Sequence, residues 1–516
     1  MLFNSYEFIF AFLPVTLAAY YLLVGWYGRA VAFSWLLVSS LFFYGWWNPA
    51  YLGLLVPMIL LNYLFGYLVS GQARKSGHTR RAWLWLAVII NLGTIAYFKY
   101  AGFLMSVASD ISGEAFVIEA IALPLAISFF TFQQIAYLVD CYRTGRCEKS
   151  LRDYALFISF FPQLIAGPIV HHSEIMPQFA HNRIREKTRS NLAVGFTIFA
   201  VGLFKKCVLA DNLAPFATGV FTAADAGQPV DIFAAWQGAL AYSFQLYFDF
   251  SGYSDMAIGL ARMFGFRLPL NFNAPYKARS IIDFWRRWHI TLSRFLRDYL
   301  YIPLGGNRRG RLRRHFNLFV TMLLGGLWHG AAWTFVLWGA LHGFYLIVNH
   351  SWHYVVRRLS AAGIMLPAIP LAGQLLTFLA VVVGWVFFRA ESFNTALSLL
   401  GGMGGMAGAS LPYGIVNQLP WLKALCDSLG IATHDGGGGQ FILAWLWIAA
   451  GGAICFFMPT TAQFMRRYRP HFEGADYMPA RFTWRPTKAY AGLAALLFIL
   501  SVLSLTQVSE FLYFRF

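Results

Sequence analysis

Hydrophobic positions in this chain come in long blocks rather than alternating with polar ones. Val31–Trp47 and Tyr51–Val69 contain no charged residue. A helix needs about 20 residues to cross the hydrocarbon core of a bilayer. Further apolar blocks at Trp83–Phe98, Phe116–Tyr142, Asn191–Phe221, Ile232–Leu260, Leu371–Phe388, Phe441–Phe457 and Tyr490–Phe516 repeat the pattern. The expectation is an all-α, polytopic membrane protein. Met1–Phe10 carries Glu7 and no Lys or Arg, unlike the basic start of a secretory signal, so Tyr6–Val24 reads as a retained first span. With so many crossings, a prior on domain number from length does not apply. Residues 1–516 read as one integral-membrane domain.

Composition agrees: 58% of residues are hydrophobic and 12% charged, and the mean hydropathy is +0.55. A soluble surface needs more charge than that. The 40 Lys and Arg exceed the 22 Asp and Glu, for a net charge of +18. They cluster between apolar blocks, where cytoplasmic loops collect positive charge and meet anionic lipid headgroups. That placement argues against nucleic acid as a partner. The five cysteines are scattered, with no CxxC pair and no zinc spacing, so neither a disulfide framework nor a metal site is expected.

Charge between the blocks orients them. Arg29, the loop with Arg74, Lys75, Arg80 and Arg81, and the pair Arg143 and Arg146 fall on the cytoplasmic side, while Asp110 and Glu114 fall outside. The alternation fails at Tyr154–Val170. This block has basic flanks at Lys149 and Arg152 and at Arg183–Arg189, and holds Pro162, Gly167 and Pro168. A re-entrant or half-buried hairpin is expected there. Asn191–Phe221 is expected to kink near Lys205–Lys206. Leu318–Val348 lies between the basic Arg308–Arg314 cluster and Arg357–Arg358, and carries Gly325, Gly326, His329 and Gly330. That pattern predicts a broken hairpin over 316–349 with its bend inside the membrane; one tilted span is the alternative.

His329, amid glycines in an apolar run, is the first candidate for chemistry. Ionisable groups at membrane depth are costly and functional by default. Imidazole titrates near neutral pH and can take a proton from an attacking hydroxyl. The alternative is a structural histidine bonded to a carbonyl. The glycines weigh against it, since each weakens a helix by roughly 1 kcal/mol. His342 reads as a packed histidine. Residues 277–314 hold eleven Lys and Arg against Asp283 and Asp298. Within this segment, Ser280–Tyr301 reads as one amphipathic helix at the cytoplasmic interface, with Trp285 and Trp288 on its apolar stripe and Arg286, Arg287, Arg294 and Arg297 on another side. His289 sits at the edge of the stripe. The arginines suit lipid contact or, alternatively, the phosphates of a nucleotide-bearing acyl donor. Asp249 and Asp255 lie in one apolar run, six residues apart and off a shared helix face. Each could pair structurally, orient a histidine or neutralise an arginine. Gln133, Gln134 and Asp140 read as interhelical hydrogen-bonding groups. No GxSxG, P-loop, GxGxxG or HExxH stands in a fitting context.

The stretch Asp283-Phe284-Trp285-Arg286-Arg287-Trp288-His289, then Arg297-Asp298-Tyr299-Leu300-Tyr301-Ile302-Pro303-Leu304-Gly305-Gly306-Asn307-Arg308, then Trp328-His329-Gly330, resembles the membrane-bound O-acyltransferase (MBOAT) superfamily, in its alginate O-acetylation branch. Phe161-Pro162-Gln163-Leu164-Ile165-Ala166-Gly167-Pro168-Ile169 and the Asp249–Asp255 stretch are similar to that branch too. The resemblance implies a helical membrane fold with re-entrant or broken helices around a central funnel or tunnel. His329 would be the catalytic histidine and His289 its companion. Trp285, Arg286, Arg287, Trp288 and Arg294 would serve the donor, with Asp249, Asp255, Asp283, Asn307 and Trp328 in support. It implies acetyl-CoA as donor, no permanently bound cofactor, an extracytoplasmic SGNH-type acetyltransferase as partner, and the bacterial inner membrane as location. The acceptor would be an exported polysaccharide: alginate first, with cellulose and peptidoglycan as alternatives. A transporter of acetate or saccharide and a non-catalytic scaffold are the readings from other classes.

Overall fold

Backbone inside an apolar run has no water to bond, and a helix satisfies its N–H and C=O groups internally. The computed structural model describes residues 1–71, 77–114, 116, 121–180, 187–367, 369–472, 482–505 and 512. Six of its helices are long and apolar enough to cross a membrane: Phe8–Trp26, Pro49–Val69, Gly77–Ser112, Thr188–Asp225, Pro370–Arg389 and Gly439–Phe457. Arg29–Gly45 and Lys488–Leu503 are shorter apolar helices. The chain is an all-α, multi-pass membrane protein. Its only strands among the described residues, Ser410–Pro412 and Ala432–His434, form one small parallel pair. The expectations placed on Arg74, Lys75, Arg183, Arg185 and the aromatic tail apart from Leu512 lie outside the described residues.

The chain divides into two compact units, the first made of residues 1–204, 252–271 and 461–508. Buried amides tie three of its helices together. Asn62 Nδ2 donates to Gln134 Oε1 at 2.7 Å, and Asn91 Nδ2 donates to Asn62 Oδ1 at 2.7 Å. Hydrogen bonds of this kind hold transmembrane helices where apolar contact alone does not discriminate protein from lipid. The block at Tyr154–Val170 is broken as its prolines suggest. Helix Leu151–Ser159 stops at Phe160, a short helix Phe161–Leu164 follows, and every residue from Leu156 to Val170 is buried. Small residues let two helices meet closely: a Cβ on Gly195 would lie 2.6 Å from the Gly259 carbonyl, and one on Gly202 would lie 2.6 Å from that of Gly252.

The second unit comprises residues 205–251, 272–460 and 509–516. It begins at a π-helical turn, Lys205–Ala210, where the paired lysines interrupt an apolar run. The Leu318–Val348 block becomes two helices, Gly310–His329 and Trp333–Ala361, separated at Gly330. A Cβ on Gly326 would lie 2.9 Å from Gly339 Cα, one on Gly343 would lie 3.1 Å from Phe319 Cα, and Arg311 lies 3.9 Å from the Tyr354 ring. These pairings run in opposite chain directions, so the two helices are antiparallel and His329 stands at their turn.

One element departs from the sequence expectation. Ser280–Tyr301 is not a single amphipathic helix: Ile281–Trp285 ends in a turn, His289 adopts a left-handed conformation (φ 42°, ψ 53°), and Ile290–Leu296 runs on into a π-turn, Arg297–Tyr301. Burial of Trp288 and His289, at 3% and 0% exposure, drives the break, because an unbroken helix would hold the chain straight at this point.

Candidate active site

The break at residues 286–289 and the turn at Gly330 bring two histidines together. His329 is the last residue of its helix, and Gly330 continues in extended conformation (φ −157°, ψ 150°). A side chain at Gly330 would collide with the Phe335 ring, so glycine there lets the two helices close at the turn. The His289 and His329 ring centroids lie 6.5 Å apart, with both residues buried. Aromatic rings enclose them. Phe250 meets His289 edge-on at 4.8 Å. His329 packs against Trp328 at 4.9 Å, Trp338 at 5.1 Å and Phe388 at 5.2 Å.

Such a lining disfavours an imidazolium. Burial pushes His289, which lies outside the six spans, down to about 3. Burial thus favours its neutral form, which can still hydrogen-bond. A general base works best with a pKa near the operating pH. Both rings stand in one chamber, His329 at the glycine-bounded turn and His289 at the break beside it.

The other residues singled out from the sequence separate into groups. Trp285 and Trp288 belong to the same aromatic chamber: Trp285 lies 5.8 Å from Trp338, and Trp288 lies 4.8 Å from Trp385. Trp328 joins it too, 6.3 Å from His289. Asp283 is placed by a local cap, accepting nothing from the histidines: Ser280 Oγ takes its N–H, and its Oδ1 takes the Arg287 Nε at 2.7 Å. Of the two arginines expected to meet lipid or donor phosphates, Arg287 is paired with Asp283 and Arg286 is exposed. Arg294 is half-buried on the Ile290–Leu296 helix, and Asn307 is exposed.

Asp249 and Asp255 take separate paths. Asp249 is bound by Lys206 Nζ at 2.7 Å, with Asp211 2.8 Å from the same ammonium, and all three side chains are buried. The backbone N–H of Leu512 also donates to Asp249. Its carboxylate is taken by a lysine rather than offered to a histidine. Asp255 lies in the first unit, where the Thr461 hydroxyl donates to it at 2.6 Å. Sequence reasoning missed Trp338, Trp385, Phe388, Phe250 and Lys206. In a chain that is 18% aromatic, a further Trp or Phe carries no signal. The two lysines did carry one, but it was read as a kink. Among the described residues no cluster of His, Cys, Asp and Glu could hold a metal ion.

The site is thus a buried histidine at the turn of a helix hairpin, enclosed by aromatic rings. Residues 125–365, which include both histidines, match the model of the membrane-bound O-acyltransferase family. The chain is 45% identical over 460 residues to the peptidoglycan O-acetyltransferase of Helicobacter pylori, spanning 84% of this chain and 85% of that one. It is 40% identical to the probable alginate O-acetylase AlgI of Azotobacter vinelandii over 533 residues, the full length of both. A more distant likeness, 27% over 236 residues, links it to a teichoic acid D-alanyltransferase of Streptococcus thermophilus and spans 44% of this chain and 57% of that one. The chain belongs to the membrane-bound O-acyltransferase family. It is a membrane-bound O-acetyltransferase.

Proposed function

We propose that this protein passes acetyl groups from a cytoplasmic thioester donor, acetyl-CoA, across the bacterial inner membrane for O-acetylation of an exported polysaccharide, with alginate as the first candidate. The observation that carries the reading is His329 at the hairpin turn, buried 6.5 Å from His289. In the proposed step, the acceptor hydroxyl oxygen attacks the thioester carbonyl carbon as His329 takes the hydroxyl proton. The carbon–sulfur bond breaks, and the departing thiolate takes that proton back, leaving an ester and a thiol. An extracytoplasmic SGNH-type acetyltransferase completes delivery to the polymer.

Full-length correspondence with an alginate O-acetylase supports alginate. A second reading, peptidoglycan as acceptor, is favoured by the higher identity, 45%, to a peptidoglycan O-acetyltransferase. Expression in two hosts, each lacking its own enzyme of one kind, separates them. Restored acetyl content of alginate alone supports the first reading. Restoration of peptidoglycan acetyl groups alone replaces it with the second, and restoration of neither sinks both.

A further inference from the structure

Besides the histidine chamber, the second unit holds a cleft of about 750 Å³ at the ends of its helix hairpin, opposite the turn. Arg311, Arg314 and His315 enter it from Gly310–His329, and His350, Arg357 and Arg358 from Trp333–Ala361. None of its lining residues is acidic. From Tyr299 to Ala390 the chain contains eight arginines and no Asp or Glu, so neither helix supplies a counter-charge. The partners that hold these arginines are neutral. Arg311 lies over the Tyr354 ring, Arg358 Nε donates to the Tyr354 hydroxyl at 2.7 Å, and Arg357 Nε donates to the His353 carbonyl at 3.0 Å. Arg314 Nε is buried and has no hydrogen-bond partner among the described residues. The positive field is felt at His350, which burial and then Arg314, His315, His353 and Arg286 hold down to about 4.

We propose that this cleft binds the phosphate-rich head of the acyl donor. Four guanidinium groups without carboxylates are a site for an anion of several charges, and planar guanidinium groups match phosphate oxygens in pairs. The placement also fits. Arg314 and His329 lie on one helix fifteen residues apart, about 22 Å along its axis at 1.5 Å per residue. An extended pantetheine arm is of that order, so a donor with its phosphates in the cleft can present its thioester at the turn. Arg286, exposed and felt electrostatically at His350, borders the same region. The inference rests on a thioester donor as proposed above, but it concerns binding of the head alone.

The test is equilibrium binding to the full chain in nanodiscs of zwitterionic lipid. The probe is adenosine 3′,5′-bisphosphate, which carries the nucleotide phosphates and no thioester arm. Wild type is expected to bind it, and Arg357→Gln with Arg358→Gln to weaken it roughly tenfold for each guanidinium lost. These two side chains are exposed, so the variant should fold; Arg311→Gln is a third exposed position. S-acetyl-pantetheine, which lacks the phosphates, should bind wild type and variants alike. Absence of bisphosphate binding to wild type, or binding unchanged in both the Arg357→Gln/Arg358→Gln variant and Arg311→Gln, overturns the proposal. So does displacement of the probe by anionic phosphatidylglycerol with no response to coenzyme A, which would make the cleft a lipid site. Failure of acetyl transfer with intact bisphosphate binding would instead strike the proposed function and leave the cleft assigned.

Discussion

Asp249 and Phe250 are neighbours on one helix, yet they serve two opposite kinds of buried polar region. Successive helical residues point about 100° apart. Asp249 faces Lys206 and Asp211, where ions are bound to ions at 2.7 and 2.8 Å. Phe250 faces His289, where imidazoles meet aromatic rings. The first region fixes its charges: buried ions persist only when paired, and removing one partner strands the rest. The second encloses its imidazoles in aromatic rings, where a small change in protonation or hydrogen bonding has a large energy. If the histidines carry the proposed proton transfer, the ion cluster holds helices in register and the aromatic chamber moves the proton.

The largest expected effect sharpens that division. His329→Ala should lower acetyl content of the exported polymer by about 10²–10⁴-fold, the usual range for loss of a general base. Membrane abundance should stay near wild type. His329→Gln should be nearly as inactive, and His289→Ala milder. Near-normal acetylation in both His329 variants would leave His329 a structural residue and break the comparison. The ion cluster should respond in the opposite way. Lys206→Met strands Asp211 and Asp249 and should destabilise the protein by about 3–5 kcal/mol, read as lost abundance and a lower Tm in detergent. Adding Asp211→Asn and Asp249→Asn should restore most of that stability. Normal stability but lost acetylation in the triple variant would move the cluster into the chemistry.

Much of this organisation was legible in the chain, for identifiable reasons. Charge-free runs such as Tyr51–Val69 have few alternatives to a membrane helix. Pro162 and Pro168 marked the broken segment, and Gly330 marked the turn that carries His329. Where the sequence misled, the cause was non-local. Nothing between Ser280 and Tyr301 is Gly or Pro, and the apolar spacing continues through the break, so His289 in a left-handed conformation had no local signature. Tertiary burial decided it. Lys206 and Asp249 lie far apart in the chain, and Asp249 and Asp255 look alike in sequence until their partners are known.

Those two carboxylates provide a smaller test. Asp255 accepts a hydroxyl hydrogen bond from Thr461. Asp255→Asn keeps an acceptor oxygen, so it should cost about 0.5–1.5 kcal/mol, the range for a typical hydrogen bond. Asp249→Asn, which removes one of two charges facing Lys206, should cost more. Thermal unfolding of the two variants side by side decides it, and a larger loss at Asp255 would place an unseen charge beside it.

The smallest effect should come from the third histidine of the chamber. His342 is fully buried between Trp285 at 5.2 Å and Trp338 at 4.9 Å, and neither of its ring nitrogens has a hydrogen-bond partner among the described residues. It is packed, as the sequence suggested, but not through a carbonyl. A buried polar group without a partner destabilises, and an apolar ring of similar shape can be neutral or better. His342→Phe should therefore leave Tm unchanged or slightly raised, and acetylation within about threefold of wild type if the ring only packs, well short of the 10²-fold or more expected for a base. Gly384→Ala is the steric control, because its Cβ would lie 2.8 Å from His342 Nε2 and press on the same ring. If His342→Phe is stable but loses acetylation as His329→Ala does, the chamber has two functional nitrogens beyond His289. If it is inert while Gly384→Ala is impaired, the shape of the chamber matters there and the nitrogen does not.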